Sequence, residues 1–396
     1  ANTKGPLRFA DLPSFFSGIM NQARITTGDQ ARDMQDKGFA AFVQDDWRLT
    51  PRLTINAGLR YELTTVLTEA NNLLGNFIPG TGLAQVGTSK LGSAFNGDHN
   101  NFAPRLGFAW DMNGDGKTVI RGGAGIYFEQ SSFDALNAIG NLNGLRVVPT
   151  GVPLYANGSS TPTTAGGSIG VTQITFSGTG PLAAIKNGWA NNSSSTPIYS
   201  LTPACGDGTV TLASGLKPAQ CTTLSMDQNI RTPYVATYNL GIQRAITNTL
   251  SLEATYVGNH ATKLLGMSDL NQALQVGGFS PGWGNPSNPN SAAGQCLASA
   301  SAGYNNCSPS SAAIQAARPY ATQFPYLSYV YGLSNSNVSN YNGLQVSVTQ
   351  RTQHGLSYVL GYTWAHALGE SSDNWRFNLP INSLNQKTIY SSTNFD

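Results

Sequence analysis

"FAAFVQDDWRLTPRLTINAGLRYE", residues 39–62, alternates apolar and polar side chains, breaks at a Pro-containing turn, and alternates again. In its second half Leu53, Ile55, Ala57, Leu59 and Tyr61 interleave with Thr54, Asn56, Gly58, Arg60 and Glu62 without exception. A period of two puts the first set on one face of a β-strand and the second on the other. The first half sets Phe39, Ala41, Val43, Trp47 and Leu49 against Ala40, Phe42, Gln44, Asp46 and Arg48, with Asp45 interrupting the apolar face. Pro51 suits the turn "TPRL", which needs no ladder donor from it.

The same grammar recurs three times. In residues 101–130, Phe102, Leu106, Phe108 and Trp110 oppose Arg105, Gly107 and Asp111; after "NGDGK", Ile120, Ala124, Ile126 and Phe128 oppose Arg121, Gly123, Gly125 and Tyr127. Residues 232–261 and 339–368 repeat it around "TNT" and "TQHG". With residues 37–64 this predicts an all-β chain of about eight antiparallel strands in four hairpins. The links inside hairpins are a few residues, whereas those between hairpins cover 66–100, 130–231, 262–338 and 369–393. Compact soluble domains seldom carry structureless loops beyond about 15 residues. An up-and-down transmembrane β-barrel has this asymmetry, with short periplasmic turns and long extracellular loops.

Composition points the same way. Only 11% of the 396 residues are charged, against about 25% in ordinary soluble domains. The net charge of +2 and the scattered Lys and Arg give no basic stripe for nucleic acid. No apolar run is long enough for a transmembrane helix, so a membrane would be crossed by strands. In hydrocarbon each strand must pair its backbone with neighbours, face lipid with apolar residues, and keep polar ones for the lumen. Trp47, Tyr61, Trp110, Tyr256 and Trp364, near strand ends, suit interfacial girdles. Arg60, Glu62, Arg105, Arg121 and Glu253 fall on the lumen-type face, either as a structural charge lattice or as a lining that guides solute or contacts another part of the protein.

Cys205 with Cys221 and Cys296 with Cys307 form two local pairs in Gly-, Ser- and Asn-rich segments, which predicts two disulfide-closed loops in an oxidising compartment. No histidine lies within a few residues of a cysteine, so zinc is disfavoured. "DMNGDGKT" puts Asp111, Asn113 and Asp115 at calcium-loop spacing, but the twelfth position is Gly122 and a hairpin turn explains the run more simply. "RGGAGIYFE" lacks the dinucleotide spacing and enters a β pattern. The dispersed Asp45, Asp46, Glu62, Glu253 and Glu370 form no acid–base constellation, so neither an enzyme nor a bound cofactor is expected.

The four hairpin segments, "FAAFVQDDWRLTPRLTINAGLRYE", "NNFAPRLGFAWDMNGDGKTVIRGGAGIYFE", "TYNLGIQRAITNTLSLEATYVGNHATKL" and "SNYNGLQVSVTQRTQHGLSYVLGYTWAHAL", together resemble successive hairpins of TonB-dependent outer-membrane transporters, most closely the Oar-like group common in Acidobacteria. The resemblance covers somewhat less than half the chain, namely the strands. It implies a barrel of 22 strands in the outer membrane of a Gram-negative bacterium, filled by a plug domain that is coupled to TonB and takes up a scarce solute. The plug, the TonB box and the terminal strand of that family have no counterpart here, so an internal barrel fragment is expected. The partners implied are outer-membrane lipid, the plug, TonB and an unspecified solute. The rival reading is an extracellular β-rich adhesion or surface-layer protein whose Ser/Asn/Gly loops do the binding.

Overall fold

The computed structural model describes residues 3–27, 33–129, 153–163, 172–181, 204–213, 217–273, 315–353, 355–370, 383 and 385–393. Eight long strands dominate: β1 (Gly38–Thr50), β2 (Leu53–Thr64), β3 (Asn101–Asp111), β4 (Thr118–Phe128), β5 (Tyr234–Ala245), β6 (Leu250–Asp269), β7 (Leu327–Gln353) and β8 (Leu356–Gly369). They follow one another through a ten-stranded sheet in chain order, each antiparallel to its neighbour. The sheet is open, with β1 at one edge and the short strand Ser391–Ser392 beside β8 at the other.

The register keeps the period-two faces in phase across every seam. Trp47, Ile55, Phe108, Gly122, Leu240, Tyr256, Leu344 and Trp364 form one cross-strand row on the apolar face. Glycine on this face has a packing reason. A Cβ on Gly122 would meet the Phe108 ring at 2.6 Å, and one on Gly258 would meet the Tyr238 ring at 2.4 Å, so the rings lie over bare backbone of the next strand.

The ends of the hairpins are staggered. The row through Thr50, Leu53, Trp110, Ile120, Ile242, Ala254, Val346 and Tyr362 starts at the very tip of the first hairpin. The last pairs of the next three hairpins, Asp111 with Val119, Ala245 with Ser251 and Gln353 with Leu356, lie about one, three and six to seven residues beyond it. That is a drift of about 22 Å over six strand spacings of about 4.8 Å, so bringing the short turns to one level tilts the strands by about 37°. Transmembrane barrels have strands tilted by about 35–45°.

The packed core is not on the sheet's faces. Val43 and Trp364 are each 69% exposed and Leu240 is 55% exposed, whereas Phe77, in the connection after β2, and Leu327, where β7 begins beyond its hairpin, are at 0%. The described parts of the connections between hairpins contain strands of their own. β6 and β7 continue beyond residues 261 and 339 into the segment 262–338, Gly75–Ile78 and Gly82–Gln85 form a hairpin, and Cys221–Met226 pairs parallel with β7. Above the level where apolar alternation stops, backbone pairing persists without it, which is why the pattern did not reveal these extensions. A separate three-stranded sheet joins Thr3–Arg8, Ile19–Thr27 and Thr172–Pro181. The helix Leu12–Phe16 at its hairpin tip is capped by Asp11, whose Oδ1 accepts the Ser14 N–H at 2.8 Å.

Candidate functional site

Each strand presents two surfaces, and each has its own chemistry. At a tilt of about 37°, one residue advances about 2.7 Å along the barrel axis. Trp110 and Trp47 then lie about 3–5 Å above the level of the short turns, while Tyr61 and Trp364 lie at about 22 Å. The two aromatic rows are about 18 Å apart along the axis. Tyr256 falls between them, at about 14 Å. Its hydroxyl and that of Tyr238 both donate to Asn342 Oδ1, at 2.7 and 2.9 Å, so the rings lean toward the long-loop end. There the apolar parity itself turns polar, at His260, Asn340, Asn342 and His366.

The opposite face carries Arg60, Glu62, Arg105, Arg121 and Glu253, all in phase through the same pairings. Arg60 pairs with Glu62 on its own strand. Arg105 lies over the Tyr127 ring, 4.4 Å from its centroid, and Arg121 Nη1 donates to Gln243 Oε1 at 3.2 Å. Glu253 Oε1 accepts the Thr255 hydroxyl. Among the described residues neither Arg105 nor Arg121 forms an ion pair with a carboxylate.

At the hairpin tip after β3, Asp111 Oδ1 accepts the Gly114 N–H and Oδ2 the Gly116 N–H, both at 2.9 Å, with both glycines at positive φ. This is turn chemistry that uses both carboxylate oxygens.

The long connections fold into a cap at the other end. Phe77, Leu83, Leu154, Cys205, Phe324 and Tyr326 pack together, drawing on three different connections. Cys205 and Cys221 are joined by a disulfide. It anchors the start of the Cys221–Met226 strand, whose far end is clamped by Asn76: Nδ2 donates to Met226 O and Oδ1 accepts Met226 N–H, each at 2.8 Å. Cys296 and Cys307 lie outside the described residues.

Two carboxylates organise the cap, and neither stood out in the sequence. Asp269, buried at the end of β6, accepts from Arg318 Nη1 at 3.0 Å and from the Asn271 and Val330 N–H groups, while Arg318 stacks on Tyr329 at 4.3 Å. Asp98 accepts from Arg231 Nη1 at 3.0 Å and from the Thr232 N–H at 2.9 Å. Burial pushes the Asp98 carboxyl up, but these hydrogen bonds outweigh it and hold the group below the usual carboxylate range. Both sit in runs without periodicity, so no local pattern marks them.

An open cavity of about 260 Å³ lies where the Gly75–Ile78 hairpin, the Cys221–Met226 strand and the outer ends of β6 and β7 meet. Phe77, Met226 and Leu333, all buried, form its inner wall, and the exposed Asp227 lies on its open side.

A tilted antiparallel wall with one continuous exposed apolar face, and its packed core confined to the connections at one end, defines a membrane β-barrel. The chain belongs to the outer membrane beta barrel domain family, which matches residues 1–396, and its place is the outer membrane. Among solved structures it is similar to the outer membrane transporter YddB from Escherichia coli (11% identity, 89% of this chain and 30% of that one, TM-score 0.38). It is also similar to the siderophore receptor PirA from Pseudomonas aeruginosa (10%, 89% and 45%, 0.33) and to a mutant of the ferric enterobactin receptor PfeA from the same organism (10%, 89% and 31%, 0.36). The chain therefore spans less than half the length of these receptors. No curated protein matches it.

Proposed function

We propose that the chain is part of the barrel wall of a TonB-dependent receptor that takes up a scarce solute across the outer membrane. The plug and TonB act on it from elsewhere in the machinery. The observation that carries this reading is the pairing of a lipid-type face on eight tilted strands with a cap that, among the described residues, folds at one end. An adhesin needs the cap but has no use for a polar inner face bearing Arg105 and Arg121.

The test has two parts. In intact cells, single cysteines at Leu59, Leu240 and Val346 should resist an aqueous maleimide, whereas cysteines at Asn239 and Gln345 on the polar face should react after permeabilisation. Ready labelling of the first three sinks the wall assignment. Cells lacking the protein should grow poorly only when a ferric chelate, cobalamin, an oligosaccharide or a peptide is limiting. Normal growth in every case, with lost surface attachment, favours the adhesin instead.

A further inference from the structure

We infer that the cavity between the cap and the outer ends of β6 and β7 is a binding site for a small organic cation with an apolar body, such as an arylalkylammonium. A cavity of about 150 Å³ lined by apolar side chains is enough for benzene, so about 260 Å³ accommodates a ring with a short chain. The walls suit such a body: Phe77, Ile78, Pro79, Met226, Leu270 and Leu333 contribute the apolar surface. Two of the polar groups deep in the wall are already engaged with the protein. Both amide atoms of Asn76 bond Met226, and the Ser225 hydroxyl donates to Phe77 O at 2.7 Å. They hold the cavity's shape and offer little to a polar ligand.

The remaining charge is at the rim. Asp227 is exposed, its Oδ1 accepts the Asn229 N–H at 2.9 Å, and among the described residues no Lys or Arg pairs with it. The nearest cation in sequence, Arg231, is committed to Asp98. An apolar chamber with one free carboxylate on its open side selects an apolar body with a cationic end and rejects the anion of the same shape. The backbone holds the carboxylate in place, because Asp227 N–H donates to Leu333 O at 2.9 Å on the neighbouring strand β7.

As a solute class this inference rests on the uptake reading, but the binding test does not pass through it. The full chain in maltoside micelles is titrated calorimetrically with phenethylammonium and with phenylacetate, alongside Asp227→Asn in the same micelles, so that partition into detergent cancels. Phenethylammonium should saturate a single site at least ten-fold more tightly than phenylacetate, and Asp227→Asn should remove that preference. Equal binding of the two probes, absence of a saturable site, or a preference that survives Asp227→Asn overturns the assignment. If the cysteines at Leu59, Leu240 and Val346 nonetheless resist labelling, the site has failed and the wall stands.

Discussion

Tyr256 donates its hydroxyl to Asn342 across the β6–β7 seam, and Tyr238, stacked on it, donates to the same oxygen. On a face that meets hydrocarbon, a phenol needs an acceptor, and one asparagine at the outer boundary serves two. Asn342→Leu should therefore lower stability by about 1–3 kcal/mol in urea unfolding from micelles, since two hydroxyls lose their acceptor. In a Tyr238→Phe, Tyr256→Phe background the same substitution should cost clearly less.

The Asp269–Arg318 pair is buried and bound into backbone on both sides. Removing one partner strands the other's charge, at a cost of about 3–5 kcal/mol. Arg318→Met should loosen the cap, seen as faster amide exchange at Val330 and Asn271, while exchange in β2 and β3 stays unchanged.

Asp98 supplies a pH dependence of defined sign. Its folded pKa lies below the unfolded value of about 3.9, so its contribution is complete above that value and is lost as pH falls through the folded pKa. Cap unfolding followed between about pH 5 and pH 2 should show a stability loss that Asp98→Asn flattens. An identical acid profile in the variant would refute this.

The Cys205–Cys221 link closes a loop of 16 residues, for which chain-entropy arguments give about 3 kcal/mol. Reduction and alkylation should make the cap more protease-sensitive near Cys221–Met226 and raise exchange at Leu224 and Met226. The strand pairings below the cap should survive.

The strands and their two faces were legible because alternation is a local property: Leu53 to Tyr61 declares its faces without reference to any other residue. The cap was not. Phe77 meets the cluster of Leu154, and Leu224 that of Leu333, only through connections tens of residues long, and the parallel pairing of Cys221–Met226 with β7 leaves no periodic mark. The Cys205–Cys221 pair was the one cap contact that residue type and proximity disclosed. The sequence suggests a girdle place for Tyr256, which lies near a strand's apolar end. Its depth follows only once the stagger of the hairpins is known.

That stagger also makes the bilayer a gauge of correct assembly. A one-residue slip at any seam would turn apolar residues into the lumen and is caught at once. A two-residue slip keeps both faces and would pass that check. It would, however, displace the short turns beyond it by about 5 Å along the axis, dragging charged tips such as Asp111 and Lys117 toward hydrocarbon or pulling Trp47 into water. Membrane thickness therefore proofreads the pairing that the side-chain pattern alone leaves degenerate.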